Sequence, residues 1–205
     1  MADQFDHRPD REAYSAARVR ALEALLIKKG IITDRTVDIV LDTFETRMGP
    51  FNGAKIVAKA WVDAAFKERL VRDTAGAIAE LSLPEGMTGA EGEHMRAVAN
   101  SPGVHNLVIC TLCSCFPWPV LGLPPYWYKD PTFRSRAARE PRAVLREFGL
   151  DIAEETEVKV WDSSAQIRWF VVPERPPGTE GLGEAELVGL VTPEAMMGVA
   201  VAKAA

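Results

Sequence analysis

All three cysteines of this chain lie within one hexapeptide, CTLCSC, which we call the claw loop (residues 110–115). A thiolate is a soft metal ligand and a strong nucleophile. Three thiols spaced this closely meet near one point in any fold. The chain must therefore adopt a fold that brings three sulfurs to one site, where they can act together as metal ligands or nucleophiles.

Several ordinary roles for such a loop leave something unexplained. A redox pair of Cys110 and Cys113 does not use Cys115. A zinc site needs a fourth ligand, and His105 lies just upstream on a predicted strand, while the other histidines are remote. A disulfide between Cys113 and Cys115 would be strained, because residues this close rarely reach the required torsion. A serine hydrolase centred on Ser114 is disfavoured, because no Gly-x-Ser-x-Gly sequence surrounds it.

Another geometry uses the backbone as a ligand. If the sulfurs of Cys113 and Cys115 bind a metal together with the deprotonated amide nitrogens of Ser114 and Cys115, fused chelate rings form a square plane. Cys110 then supplies an axial sulfur, and the opposite position stays open. Donors this strong favour a low-spin trivalent ion, so cobalt(III) or iron(III) fits better than zinc.

The claw loop and the FPWPVLGLPP segment that follows it resemble the metal-binding loop of the α subunit of nitrile hydratase. The similarity extends from about Arg18 to about Val199. Thr111 resembles the cobalt class of the family, because the iron class carries serine there. Further segments that resemble the family are GAKIVAKAW (53–61), YK (128–129), RSR (134–136), EPR (140–142), VWD (160–162) and RPPGTEG (175–181).

The resemblance implies that Cys110, Cys113 and Cys115 bind cobalt(III) together with the Ser114 and Cys115 amides, with iron(III) as the less favoured ion. It implies that Cys113 is oxidised to sulfinate and Cys115 to sulfenate. Cys115, Ser114 and Cys113 are then the catalytic residues of a hydration that converts a nitrile to its amide. The metal would act as a Lewis acid, and the Cys115 sulfenate oxygen as nucleophile or base.

The resemblance also implies protein partners, namely a nitrile hydratase β subunit in a heterodimer or heterotetramer, and an activator protein that inserts the metal. Oxidised sulfurs are anionic and need cationic partners. No arginine follows Cys115 until Arg134. We therefore expect arginines of the β subunit to hold the oxidised sulfurs.

Other side chains have more local expectations. The resemblance places Trp118 at the border of the nitrile pocket. Glu91 lies on a glycine-rich segment, where the family usually carries glutamine near the active centre. We expect Glu91 either to line the substrate pocket or to be an exposed loop side chain without a role. His94 and His105 are expected to make structural hydrogen bonds rather than to bind metal. Arg168 is either an exposed charge on a strand or a charge that orders the claw loop.

Composition excludes several classes of partner. The net charge is −5 and no block of like charge occurs, so neither nucleic acid nor an anionic membrane is an expected partner. The sequence shows no apolar run of about 18 residues and no signal peptide. Three clustered cysteines are not a disulfide framework, which favours the reducing cytoplasm.

The hydrophobic pattern predicts an α+β fold with a helical arm at its N-terminal side. We expect a disordered tail (1–12), a helical arm (13–52) and a catalytic α+β domain (53–205) that carries the claw loop. The arm consists of two amphipathic helices, over residues 14–29 and 33–48, with Gly30 as the stop of the first. These helices fold either on their own domain or on a partner, and the resemblance favours the partner. It also implies a layered α-β-β-α domain.

Local signals predict the elements of this domain. Residues 53–81 are expected to form helices in pieces, restarted at Asp63, and residues 104–109 a strand that delivers Cys110. Alternation over residues 157–161 and 166–172 predicts a β-hairpin. The remaining predictions are a loop over 82–92, an irregular proline-rich segment over 117–125, short helices over 131–139, 141–148 and 184–191, and a last turn opened by Thr192.

Two other functions stay open at the level of sequence. A thiocyanate hydrolase catalytic subunit carries the same claw loop, although its sequences do not usually show the Trp118 pattern. A non-catalytic subunit that carries metal into an assembly would also use these cysteines.

Overall fold

The computed structural model describes residues 9–46, 49–81, 83, 94–113 and 115–202. The predictions for residues 1–8, Glu91 and Ser114 lie outside the described residues, as does nearly all of the predicted loop over 82–92. Within the described part, no helix is long and apolar enough to cross a membrane.

The described helices and strands follow one another in an α+β order. The α-helices are α1 (Pro9–Lys28), α2 (Asp34–Thr46), α3 (Pro50–Val62), α4 (Ala64–Arg72), α5 (Thr74–Ala79), α6 (Trp118–Leu121), α7 (Pro131–Arg139), α8 (Pro141–Glu147), α9 (Glu184–Leu187) and α10 (Pro193–Met197). The strands are β1 (Met95–Ala99), β2 (Val104–Ile109), β3 (Glu157–Asp162) and β4 (Arg168–Val172). Short 3-10 helices span Tyr126–Lys129 and Val188–Leu190.

Helices α1 and α2 form the N-terminal arm and leave apolar side chains in solvent. Gly30, with φ of 67°, ends the first helix as predicted. That helix begins at Pro9, inside the stretch predicted to be disordered. Val19 and Leu22 on α1 are 63% and 57% exposed, and Ile39 on α2 is 54% exposed. Among the described residues, neither helix contributes to the buried core.

Helices α3 to α5 form the helical pieces that the sequence predicts. Asp63 ends α3 and caps α4, because its carboxylate accepts a hydrogen bond from the Phe66 amide at 2.9 Å. Asp73 repeats this arrangement at the start of α5, where its carboxylate accepts from the Gly76 amide at 3.1 Å. Ile56 is fully buried against the sheets. The predicted restart at Asp63 is confirmed.

The predicted hairpin of β3 and β4 is wrong. β1 pairs with β4 in one parallel sheet, and β2 pairs with β3 in another, so the consecutive strands β3 and β4 belong to different sheets. Ser163 stabilises the connection that leads from β3 in one sheet to β4 in the other. Its amide donates to the Ile109 carbonyl at 2.7 Å. The Ser163 hydroxyl accepts from the Trp169 amide at 3.1 Å. Strand β1 was not predicted.

The two sheets are packed face to face, with helices outside. Alternate residues of a strand point to opposite faces. Leu107 and Ile109 of β2 accordingly join the large core with the helices, whereas Val108 packs with Val98 and Val171 between the sheets. This confirms the α+β fold with an α-β-β-α layering.

The proline-rich segment after the claw loop is more regular than predicted. Residues Trp118–Leu121 form one helical turn, because Pro119 falls in the first turn, where its missing amide costs no hydrogen bond. The helices predicted over 131–139 and 141–148 are confirmed as α7 and α8. The last helix opens as predicted, with the Thr192 hydroxyl accepting from the Ala195 amide at 3.2 Å.

His105 ties β2 to the end of the last helix. Its Nε2 donates to the Gly198 carbonyl at 2.7 Å, and its Nδ1 lies 3.3 Å from the Asn100 side-chain nitrogen. Burial lowers the pKa of His105, although the Gly198 carbonyl opposes this shift. His94 lies 3.1 Å from the Gln166 carbonyl. Both histidines make structural hydrogen bonds, as predicted.

We expect Gly198→Ala to destabilise the chain more than Gly103→Ala. Both glycines have φ of +83°, so alanine costs about 1–2 kcal/mol of backbone strain at either position. A Cβ at Gly198 would lie 1.9 Å from the Asn106 carbonyl oxygen, whereas one at Gly103 would meet nothing within 4 Å. The overlap adds about 1–3 kcal/mol at Gly198. Urea unfolding of both variants measures the difference, and equal losses would contradict it.

Candidate metal centre

Strand β2 delivers the first sulfur of the claw loop. Cys110 directly follows Ile109 and is completely buried, while Cys115 is half-buried and Cys113 is exposed. The Cys113 sulfur lies 3.4 Å from that of Cys110 and 3.0 Å from that of Cys115. The Cys113 amide donates to the Cys110 sulfur at 3.3 Å. The loop thus folds back so that its sulfurs face one another.

The donor set of the claw loop fits a soft metal ion. The three sulfurs lie within 4.8 Å of one another, and no histidine or carboxylate of the described residues joins them as a fourth ligand. A structural zinc site is normally closed by four side-chain ligands. The triad therefore favours an ion that takes its other ligands from elsewhere, as the backbone-ligand geometry requires.

The sulfurs need a cation to lose their protons together. Burial, followed by the hydrogen bond to Cys113, raises the pKa of Cys115 to about 12. Neighbouring thiolates would repel one another at these distances. A metal ion removes that repulsion and releases the protons as it binds. The loop thus holds donors close together in an arrangement that a metal ion would stabilise.

Asp162 anchors the start of the loop. It is the last residue of β3, and its carboxylate accepts from the Thr111 amide at 2.9 Å and from the Thr111 hydroxyl at 2.5 Å. Residue Thr111, which carries the resemblance to the cobalt class, is therefore fixed by its hydroxyl and its backbone at once. The spacing of the sequence does not reveal this pair.

Arg134 provides a cation from the chain itself. Its Nη1 donates to the Cys113 carbonyl at 2.8 Å and lies 3.5 Å from the Thr111 carbonyl. Residue order alone indicated a partner as the source of cations, because no arginine stands close after Cys115 along the chain. Arg134 reaches the loop because α7 packs beside β2. Its partners are backbone carbonyls rather than sulfurs, so the expectation of partner arginines remains a prediction.

Tyr128 supports the end of the loop. Its hydroxyl donates to the Cys115 carbonyl at 3.0 Å, and its ring packs edge-on against Phe116 with centroids 4.9 Å apart. The side chain is completely buried, and this burial raises the pKa of Tyr128. The phenol therefore stays protonated and serves as a fixed donor.

A cleft of about 340 Å³ opens directly onto two of the sulfurs. Trp118, predicted to line a substrate pocket, forms part of its wall, and Arg168 also lies there rather than on an exposed strand face. Glu91 and Ser114 lie outside the described residues, so their assignments stay predictions. The complete lining consists of Cys113, Cys115, Phe116, Trp118, Leu123, Pro124 and Arg168.

The fold and the sulfur triad define the chain as a cysteine-based metal-binding protein with α-β-β-α layers. A family model described as nitrile hydratase, alpha chain, matches residues 13–200. The chain therefore belongs to the nitrile hydratase α-chain family.

Individual relatives agree with this assignment. The cobalt-containing nitrile hydratase subunit alpha of Pseudonocardia thermophila is 52% identical over 100% of both chains. A solved double mutant of Fe-type nitrile hydratase from Comamonas testosteroni Ni1 superimposes with a TM-score of 0.82 at 38% identity, covering 94% of this chain and 92% of that one. The thiocyanate hydrolase subunit gamma of Thiobacillus thioparus is 38% identical over 89% of this chain and 78% of its own. It is thus the more distant relative.

The Thr111–Asp162 pair should be energetically coupled in the metal-free chain. A double-mutant cycle with Thr111→Val and Asp162→Ala should give a coupling of about 1 kcal/mol in unfolding free energy, since the hydroxyl donates to a charged but solvent-exposed acceptor. Thr111→Ser keeps the hydroxyl that donates to Asp162, so the matched cycle of Thr111→Ser with Asp162→Ala should give a coupling near zero. Urea unfolding measures all variants, and strictly additive losses would contradict the prediction.

Proposed function

We propose that this chain is the metal-bearing subunit of a nitrile hydratase, which adds water to a nitrile to form the corresponding amide. The observation that carries the proposal is the triad of cysteine sulfurs, two of which, Cys113 and Cys115, line an open cleft. The 52% identity to a cobalt-containing relative over the whole chain supports it. A thiocyanate hydrolase activity is the less favoured alternative, given the lower identity to that enzyme.

The proposed metal is cobalt(III), held by Cys110, Cys113 and Cys115 with the backbone amides of Ser114 and Cys115. Thr111 and the name of the Pseudonocardia thermophila relative favour cobalt, while the Fe-type structural neighbour keeps iron(III) as the second choice. When bound, the ion supplies Lewis acidity that polarises a nitrile or a water molecule.

The cleft combines an apolar wall, which would contact the substrate, with two cysteine sulfurs that would take part in the reaction. Phe116, Trp118 and Leu123 would hold the organic part of the nitrile and keep excess water out. Cys113, as sulfinate, contributes a fixed negative charge. Cys115, as sulfenate, carries an oxygen that would act as nucleophile or take a proton from the attacking water.

Exposure supports the assignment of the oxidised sulfurs. Cys113 is exposed and Cys115 is half-buried, whereas Cys110 is completely buried. Oxidation of a thiol requires access as well as thiolate character. Cys113 and Cys115 are therefore the sulfurs to which an oxidant has access, and Cys110 is expected to remain an unmodified ligand.

A β subunit is the proposed partner of the arm and of the cleft. The exposed apolar side chains of α1 and α2 form a surface of the kind that interfaces cover. Cationic side chains for the oxidised sulfurs would come from the same partner. A metal-insertion activator protein is proposed for loading. The three cysteines, clustered in one loop rather than spread as a disulfide framework, favour the cytoplasm as location.

The test is to express the full chain with a nitrile hydratase β subunit in cobalt-supplemented medium. The purified complex should contain stoichiometric cobalt and hydrate small nitriles, while the chain alone should be nearly inactive. Cys115→Ala should lower turnover by at least about 100-fold. Losing a residue that only hydrogen-bonds to a metal ligand already costs up to about 100-fold, and Cys115 is proposed to be a ligand itself. Leu112→Ala is the matched control in the same loop, because its side chain is 84% exposed and offers no donor. Stoichiometric zinc with three free thiols would contradict the proposal.

Oxidation of the claw loop should be visible by mass spectrometry of the active complex. Trypsin releases the loop in one peptide, residues 97–129, because no lysine or arginine interrupts it. We expect two added oxygens on Cys113, one on Cys115 and none on Cys110. Three unmodified cysteines in a fully active sample would rule out the proposed role of the Cys115 oxygen.

A further inference from the structure

Arg134 contacts the claw loop at the carbonyl oxygen that shares a peptide group with the Ser114 nitrogen. Its Nη1 donates to the Cys113 carbonyl at 2.8 Å, much closer than to the Thr111 carbonyl. The position of Arg134 is fixed by the helix that carries it. Asp130 caps α7 by accepting from the Phe133 amide at 3.0 Å, and the Phe133 side chain is completely buried.

The Cys113 carbonyl and the Ser114 nitrogen belong to one peptide group. Electrons of a peptide group are shared between its nitrogen and its oxygen by resonance. If the Ser114 nitrogen serves as a deprotonated ligand, part of its negative charge therefore resides on the Cys113 oxygen. A guanidinium donating to that oxygen forms a charge-assisted hydrogen bond, which is stronger than the bond to a neutral peptide.

We propose that Arg134 is a positioning residue of the metal centre, which stabilises the Cys113–Ser114 peptide group as an anionic ligand through the Cys113 carbonyl. This inference rests on the proposed function, because it concerns the same metal ion. It differs from the role expected of partner arginines, which would bind the oxidised sulfurs. Arg134 instead acts on the backbone and from within the chain.

The other arginines of α7 are engaged away from the loop. Arg136 pairs with Glu147 through both of its terminal nitrogens, and Arg139 donates to the Ser135 hydroxyl at 3.0 Å. In the described part of the chain, the buried Nε of Arg134 has no hydrogen-bond partner. The described residues thus leave one donor of this guanidinium unused.

The experiment compares Arg134→Gln and Arg134→Lys in the full chain co-expressed with a β subunit. Glutamine keeps a neutral donor, whereas lysine keeps a positive charge. Arg139→Gln is the matched control, since it removes the same charge from the same helix at a site that does not touch the loop. The affinity of the metal-free complex for cobalt(II) is measured anaerobically by competition with a chromogenic chelator, and the urea midpoint is measured in parallel.

We expect Arg134→Gln to weaken cobalt(II) binding by roughly 10- to 100-fold, the usual cost of losing an outer partner of a metal ligand. Arg134→Lys should recover most of that loss, and Arg139→Gln should bind as the wild type does. The urea midpoint of the metal-free Arg134→Gln complex should stay near that of Arg139→Gln, because the stabilised charge exists only with metal bound.

Several results would overturn the inference. If Arg134→Gln binds cobalt(II) as tightly as the wild type does, Arg134 has no role in metal binding. If the glutamine and lysine variants lose affinity equally, the charge of Arg134 is not what matters. If Arg134→Gln does not fold, Arg134→Lys decides, and a loss near 100-fold in that variant would count against the inference. A wild-type complex that binds no cobalt would instead overturn the proposed function, and the inference with it.

Discussion

The parallel pairing of β2 with β3 is the constraint on which the metal centre depends. Its register sets Ile109 opposite Asp162, so the strand that delivers Cys110 ends beside the carboxylate that holds Thr111. A register slip by one residue would turn every side chain of β3 to the opposite face of the sheet. Asp162 would then leave the claw loop, and the first sulfur would lose its fixed surroundings.

Around this pairing, the chain supports the claw loop at three points. Asp162 holds its start, Arg134 holds the Cys113 carbonyl, and Tyr128 holds the Cys115 carbonyl. These contacts come from a strand end, a helix and a 3-10 turn that pack into the common core. The loop is therefore held in place by contacts of the chain itself. Pre-organised donors reduce the conformational entropy that is lost when the metal binds.

This chain supplies the metal ligands and their supports, but it leaves one side of the cleft open. The sulfurs and their backbone supports come from the layered domain, while the cleft above them is open to one side. The arm carries apolar residues that the core of this chain does not cover. Both features agree with the proposed β subunit, which would close the cleft and cover the arm. Family membership and the local chemistry of the loop support the same division.

The sequence by itself determined what depends on neighbours along the chain. The spacing of Cys110, Cys113 and Cys115 defined the donor set, and helix boundaries at Gly30 and Asp63 followed from turn and cap chemistry that acts within a few residues. Alternation along β3 and β4 correctly indicated strands, but it cannot tell which strand is the partner.

Strand pairing joins residues far apart in sequence, so only the tertiary structure decided that β3 and β4 lie in separate sheets. The same reason explains why Asp162 and Arg134 were missed as supports of the claw loop. No spacing along the chain encodes a contact that exists only because a distant strand end and a distant helix pack beside β2.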